Sequence, residues 1–189
     1  YLQIHANTNN INNTVAGPRS YGRTCRCIEG CFDPPALQAP EGTDTVCAGS
    51  THTYTVPGMP PGIACAWYLP PGWTGTPSGG GITATAGFSG GLVQIGVAAV
   101  NNCGDTGAIS TIQVYVPPFY PVSITVSGDT LATLGSGYVS WQWYRNGNLI
   151  PGATDSFYVV PQNDTFTVKV TDRYGCSDSS AIPYIVTNI

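Results

Sequence analysis

Short stretches in which polar and apolar residues alternate, separated by turn signals, make up most of this sequence from about residue 41 onward. In residues 51–56 the threonines fall on one face. In residues 166–171, Phe166, Val168 and Val170 fall on the face opposite the polar residues between them. A period of two residues is typical of strands that are buried on one side only. Because Lys, Glu and Leu are scarce while Thr, Val, Tyr, Gly and Pro are abundant, the chain is predicted to be all-β.

The alternation falls into two regions of similar length, divided by the double proline Pro117-Pro118. We predict two tandem small β-sandwiches, at residues 41–117 and 118–189, because short strands with turn signals at this spacing are typical of sandwiches. Residues 1–40 lack periodicity, and they are predicted to form an extended N-terminal arm that ends in a Cys-rich knot.

Two patterns in the second region predict local structure. Alternation through residues 138–144 places Val139, Trp141 and Trp143 on one face of a strand, which is expected to be the core face. The Asn146-Gly147 pair that follows is the strongest short signal for a tight hairpin turn.

The charge of the chain excludes several partners. The net charge is −4 and only 8% of the residues are charged, which argues against nucleic acid because such affinity comes largely from Lys and Arg on phosphates. No apolar run reaches the roughly 20 residues of a membrane span. The sequence begins at Tyr1 without a signal-like segment, so we expect that a targeting sequence has already been removed.

Seven cysteines and a single lysine indicate an oxidising compartment, and therefore an extracellular or cell-surface location. Sandwiches this small are only marginally stable on their cores alone, so a disulfide would help. We predict a Cys47–Cys103 disulfide within the first sandwich. The alternatives are a Cys65–Cys103 bridge, because Cys103 keeps the parity of the core-facing residues before it, and a buried, inert thiol at Cys65.

Cys25, Cys27 and Cys31 form the Cys-rich knot. Their spacing offers no evident fourth ligand for zinc, so no metal or other cofactor is expected. We predict disulfides within the knot, to Cys176, or to another subunit. An odd number of cysteines favours a crosslink between chains.

The sequence offers little for catalysis, and the protein is expected not to be an enzyme. The acidic residues are scattered through turns, for example Asp129, Asp155 and Asp172, where Asp has an ordinary structural role. Two isolated histidines, His5 and His52, leave few arrangements for a catalytic triad, and no nucleophile-elbow motif is present.

Several segments match known repeats: residues 46–50, 54–57, 67–73 and 102–104 in the first sandwich, and 127–131, 141–147, 150–154, 166–172 and 175–176 in the second. On these segments the first sandwich is similar to the PKD-like repeats of secreted Bacteroidota proteins, and the second resembles the immunoglobulin-like repeats of the same proteins. The resemblance implies export by the type IX system and O-glycosylation of Thr45 and Thr130, which stand in Asp-Thr-aliphatic triplets. The second sandwich departs from the pattern because it lacks the early cysteine that would pair with Cys176.

The expected function is structural: a subunit or module of a bacterial surface filament or adhesin. A polar arm ahead of two sandwiches is well placed to add a strand to the open edge of a neighbouring copy, which gives directional self-association through main-chain hydrogen bonds. Such head-to-tail contacts propagate into filaments. The arm could equally be a linker from a longer protein.

The alternative function is an accessory carbohydrate-binding or spacer module of a secreted polysaccharide-degrading enzyme. Trp73, in a loop after Pro70-Pro71-Gly72, is the predicted glycan contact, and Tyr138, Tyr144 and Tyr158 are further candidates for exposed rings. Against this, Trp73 belongs to the repeat's own pattern, which favours a packing role.

Overall fold

The computed structural model describes residues 33–118, 120–161 and 163–180, together with the backbone of a short strand at 184–185. The arm up to residue 32, with Cys25, Cys27 and Cys31, lies outside the described residues, so the predictions made for it stay predictions. In chain order the strands are β1 (Thr51–Thr55), β2 (Ala64–Tyr68), β3 (Thr74–Ser78), β4 (Gly81–Thr85), β5 (Gly91–Val100), β6 (Ser110–Val116), β7 (Ser123–Ser127), β8 (Thr130–Leu134), β9 (Tyr138–Arg145), β10 (Asn148–Leu149), β11 (Phe157–Val159), β12 (Thr165–Asp172), β13 (Ser177–Ser179) and β14 (Tyr184–Ile185).

These strands form four antiparallel sheets, two on either side of the double proline. The first half contains a sheet in the order β1-β4-β3 and a second in the order β2-β5-β6. The second half contains a sheet in the order β11-β8-β7 and one in the order β10-β9-β12-β13, with β14 also paired to β12. The prediction of an all-β chain with sandwich-like halves is confirmed, while its exact domain limits stay predictions.

The alternating residues of the first half pack as predicted. Tyr54 is fully buried between the exposed threonines of β1, and it packs with Val46, Ile82, Ile95 and Val114 in the space between the two sheets. The Tyr54 hydroxyl donates a hydrogen bond to the Thr43 carbonyl (3.1 Å). The outer face of β1 is lined by threonines that lie opposite the threonines of β4. One face of this sheet is therefore solvent-exposed and the other is buried.

The second half is built around Trp143, which is fully buried with Leu131, Phe166 and Val168. The predicted hairpin turn follows β9: Asn146 (φ 48°) and Gly147 (φ 76°) both adopt the left-handed conformation that a type I′ turn requires.

One predicted core residue of β9 is not buried. Val139 is 60% exposed, because the pairing of β9 with β12 shifts at this point: Thr171 pairs with Ser140 and Asp172 with Tyr138. Val139 is thus the extra residue of a β-bulge, which turns it away from the core.

In the described part of the chain, no helix has the length and apolar character that a membrane crossing needs.

Candidate functional site

A disulfide joins the two halves of the molecule. Cys47 lies in the turn before β1, where its carbonyl accepts hydrogen bonds from the backbone and the hydroxyl of Ser50. Cys176 lies in the turn between β12 and β13. Their sulfurs are bonded, with the Cα atoms 5.4 Å apart. The bridge fixes one sandwich to the other.

The predicted Cys47–Cys103 disulfide is therefore wrong, because these residues lie at opposite ends of the first sandwich. Cys47 follows Val46, whose backbone N–H donates a hydrogen bond to the Tyr115 carbonyl. Tyr115 lies opposite Leu92, near the beginning of β5. Cys103 lies beyond the other end of β5, which ends at Val100. The strand from Leu92 to Val100 spans about 26 Å at roughly 3.3 Å per residue, which is far more than a disulfide can reach.

The other cysteine predictions resolve in different ways. Cys103 is itself disulfide-bonded. Cys65 is a free thiol, so the alternative Cys65–Cys103 bridge is also wrong. The Cys65 thiol lies 3.6 Å from the sulfur of Met59, and burial raises its pKa, as expected of an unreactive cysteine. Cys176 is committed to Cys47, which corrects its predicted pairing with the knot or with another chain.

A cleft of about 420 Å³ lies beside the disulfide, where the two halves meet. We call it the tyrosine cleft, because Tyr115, Tyr120, Tyr138 and Tyr174 line it. They come from four different places: the end of β6, the segment after the double proline, the beginning of β9 and the β12–β13 turn. The fold therefore assembles the cleft from residues far apart in sequence.

The rings of the cleft hold one another in place. The Tyr115 and Tyr174 ring centroids are 5.5 Å apart, with the planes tilted by 59°. The guanidinium of Arg173 lies 5.0 Å from the centroid of Tyr174, within the range of a cation–π contact. The Tyr138 hydroxyl donates to the Tyr120 carbonyl (2.9 Å). The aromatic lining is thus preorganised.

Two carboxylates, Asp172 and Asp178, add negative charge to the cleft. Asp172 shapes its wall, since Oδ1 accepts the backbone N–H groups of Tyr174 (2.8 Å) and Cys176 (2.9 Å). A side-chain hydrogen bond with Tyr174 raises the pKa of Tyr115, and burial adds to the effect. Burial, together with the charge of Asp178, raises the pKa of Tyr138. These phenols are therefore neutral over the physiological range.

Trp73, the predicted glycan contact, is a core residue instead. It is only 7% exposed and packs with Tyr54, Ile82 and Val116 between the sheets of the first half. Among the described residues, its indole Nε1–H has no hydrogen-bond partner. A sugar ring cannot stack on a face buried in this way, so this prediction is wrong.

The three tyrosines predicted to be exposed lie in different environments. Tyr158 is half-buried and packs against Trp143, with ring centroids 6.0 Å apart, and against Phe166 at 5.8 Å. Tyr144 is half-buried in β9. Only Tyr138 of the three lines the tyrosine cleft. No periodic pattern in the sequence marked Tyr115, Tyr120 and Tyr174 as lining residues of one cleft.

The remaining predicted residues are placed as follows. Thr45 is half-buried and forms a parallel bridge to Tyr115, while Thr130 opens β8 and is also half-buried. Their glycosylation stays a prediction. The His52 Nε2 lies 2.8 Å from the Ser50 hydroxyl. Among the described residues, no three metal-ligating side chains are grouped.

The sheet edges differ in how well they are protected. The edge strand β3 contains Pro77, which cannot donate to an added strand. The outer side of β6 is partly covered, because Tyr115 bonds to Asp44 and Val46. The edge strand β7, at Ser123–Ser127, carries neither proline nor charge, and among the described residues it pairs with β8 alone. Such an edge is a ready template for an added strand.

Comparisons with known proteins bear on the first half. Residues 33–114 match the family model for the PKD-like domain. This confirms the PKD-like part of the resemblance; domains of this kind are typical of extracellular proteins and are generally non-catalytic modules. A comparison with curated proteins gave no match.

Three solved structures show a remote resemblance to the chain. An I-band fragment of titin is 18% identical, with 79% of this chain and 64% of that one covered and a TM-score of 0.35. Fibronectin(III)-like modules of Clostridium thermocellum CbhA are 13% identical, with coverages of 77% and 90% and a TM-score of 0.33. The Bacteroides ovatus protein SGBP-B, in complex with a mixed-linkage heptasaccharide, is 17% identical, with coverages of 80% and 44% and a TM-score of 0.27. At these TM-scores none of the three alignments bears on function.

Proposed function

We propose that this protein is a non-catalytic structural module of an extracellular filament or adhesin on a bacterial surface. The observation that carries the proposal is the Cys47–Cys176 disulfide. A covalent bond between two sandwiches that already meet at the double proline prevents them from separating under tension. Such a bond suits a module that transmits force or spaces a surface better than it suits a flexible linker domain.

Two observations support the location. Disulfides form and persist in oxidising compartments, and Cys47, Cys103 and Cys176 are all disulfide-bonded. The match to the PKD-like domain over residues 33–114 is in keeping with an extracellular protein. The resemblance to repeats of Bacteroidota proteins favours export by the type IX system.

Self-association is proposed to use the edge of β7, on which the N-terminal arm of another copy adds a strand. Ser127 and Thr130 flank a two-residue turn that begins at Gly128 (φ 60°), as in a type II′ hairpin. They therefore form a hydrogen-bonded pair, and Thr125 forms the next. The N–H groups of Ile124 and Val126 then point outward, where an added strand would accept them.

The test is electron microscopy and size-exclusion chromatography of the secreted protein and three variants. Val126→Pro removes one outward N–H without touching the pairing with β8. Val126→Ala is the matched control, because it trims the side chain and keeps the N–H. Deletion of residues 1–24 removes most of the arm and retains all seven cysteines.

We expect fibres or oligomers from wild type and Val126→Ala, and monomers from Val126→Pro and the deletion. Circular dichroism checks that each variant is folded. Unchanged assembly in both of the disrupted variants, or a monomeric wild type, would refute association through this edge.

A further inference from the structure

We propose that the tyrosine cleft is a binding site for a short, neutral oligosaccharide. The proposal concerns a different surface from the one used for assembly, since β7 contributes no residue to the cleft. Assembly through β7 and oligosaccharide binding in the cleft can therefore be tested independently.

The size and rigidity of the cleft fit a small ligand. Its volume of about 420 Å³ lies within the roughly 300–1,000 Å³ that is usual for small-molecule sites. The disulfide beside it, the Tyr115–Tyr174 ring contact and the bond from Tyr138 to the Tyr120 carbonyl fix its walls before any ligand arrives. Preorganisation of this kind lowers the entropic cost of binding.

The aromatic faces supply an apolar platform that water can reach. Tyr120 is 52% exposed and Tyr174 is 39% exposed. The flat C–H face of a pyranose ring packs on such rings, as apolar groups do on aromatic faces in general. Arg173 already lies against Tyr174, which leaves its N–H donors close to anything stacked beside that ring.

The polar groups of the cleft select a ligand that both donates and accepts. Among the described residues, the second carboxylate oxygen of Asp172 has no hydrogen-bond partner and the Asp178 carboxylate accepts only the N–H of Ser179 (2.8 Å). Arg173 forms no ion pair in the same part of the chain. Sugar hydroxyls donate to carboxylates and accept from a guanidinium. Each of these groups would therefore find a partner.

The same chemistry disfavours two other ligands. A proline-rich peptide docks in aromatic grooves, but proline has no backbone N–H to donate, so such a peptide offers fewer donors to the free oxygens of the two carboxylates than a sugar does. An acidic sugar would meet two carboxylates against one arginine. A neutral sugar avoids both penalties.

The experiment is calorimetric titration of the full 189-residue chain with neutral di-, tri- and tetrasaccharides of glucose, mannose and galactose. A uronic-acid trisaccharide and a proline-rich peptide are titrated alongside. The cleft variants are Tyr174→Ala, Tyr174→Phe and Asp178→Asn. The matched control is Tyr68→Ala, which removes another exposed tyrosine, in β2, that does not line the cleft.

We expect at least one neutral oligosaccharide to bind. Its affinity should fall at least tenfold in Tyr174→Ala and in Asp178→Asn, and stay within about threefold in Tyr174→Phe and Tyr68→Ala, because the ring face and the carboxylate carry the contact. The proposal is overturned by an absence of binding across the neutral panel at millimolar concentration. Tighter binding of the peptide or of the acidic sugar, or equal loss in Tyr68→Ala, overturns it as well.

Discussion

At the scale of single residues, two buried tryptophans show how one side chain type is stabilised differently in the two cores. The Trp143 Nε1–H donates to the Asp155 carbonyl (2.9 Å). The Nε1–H of Trp73 has no hydrogen-bond partner in the part of the chain that the structure describes, although the residue is only 7% exposed. A buried donor without an acceptor loses its hydration without compensation. Trp73 therefore stabilises the fold through its apolar surface alone.

Because of this difference, replacing each tryptophan by phenylalanine should lower the free energy of unfolding by different amounts. Trp73→Phe removes an unsatisfied donor, whereas Trp143→Phe leaves the Asp155 carbonyl without its partner. We expect Trp143→Phe to lower the free energy of unfolding by about 1 kcal/mol more than Trp73→Phe does. Trp73→Ala should cost about 3–5 kcal/mol, since it leaves a large cavity. Urea unfolding measures all three. Equal losses of unfolding free energy in the two Phe variants would contradict the inference that only the Trp143 indole N–H stabilises the fold through a hydrogen bond.

At the scale of elements, Asp164 ties the beginning of β12 to the end of β9. Its carboxylate accepts hydrogen bonds from the Asn146 side chain (2.6 Å) and from Arg145 (2.5 Å). The Asn146 bond and then the Arg145 bond lower the pKa of Asp164. Both contacts favour the ionised carboxylate, so they strengthen the packing of the hairpin turn only while Asp164 is charged.

The stabilisation should consequently be lost in acid. It is complete above the unfolded-state pKa of about 3.9 and disappears as the pH falls through the lower folded-state pKa. Asp164→Asn should therefore be less stable than wild type at neutral pH and show a smaller further loss of melting temperature in acid. Asp155→Asn is the control, because that carboxylate makes no hydrogen bond to a described residue. Parallel melting curves for wild type and Asp164→Asn from neutral to acidic pH would refute the role of this carboxylate.

Elements of this kind were also the most predictable part of the fold. The alternation in residues 51–56 and 166–171, and the Asn146-Gly147 turn, are patterns of consecutive residues, so they can be recognised without knowing which strands pair. The exposure of Val139 was not predictable in the same way. It depends on a bulge against β12, a strand more than twenty residues further along the chain.

At the scale of the whole molecule, the site was harder to predict because it exists only where the two halves meet. Cys176 is the single cysteine after the double proline, so its partner had to lie elsewhere. That count was the available signal for a bridge to the first half. No comparable signal brings Tyr115, Tyr120 and Tyr174 together, since their shared wall depends on how two sandwiches pack. For Trp73 the prediction was wrong in the opposite direction: its position in a loop suggested an exposed side chain, but the ring packs in the core.

We expect the bridge to make the two sandwiches unfold together and its removal to separate their unfolding transitions. Cys47 and Cys176 are 129 residues apart in sequence. In the chain-entropy model, a disulfide that closes a loop of that size stabilises the folded state by about 5 kcal/mol, because it restricts the unfolded chain. The two halves keep separate hydrophobic cores. We expect Cys47→Ser/Cys176→Ser to unfold in two transitions in guanidinium, each at lower denaturant than the single transition of wild type. Cys65→Ala, which removes the free thiol alone, should retain one transition. A single, unshifted transition in the double variant would mean that packing alone couples the halves, and the structural role given to the disulfide would be wrong.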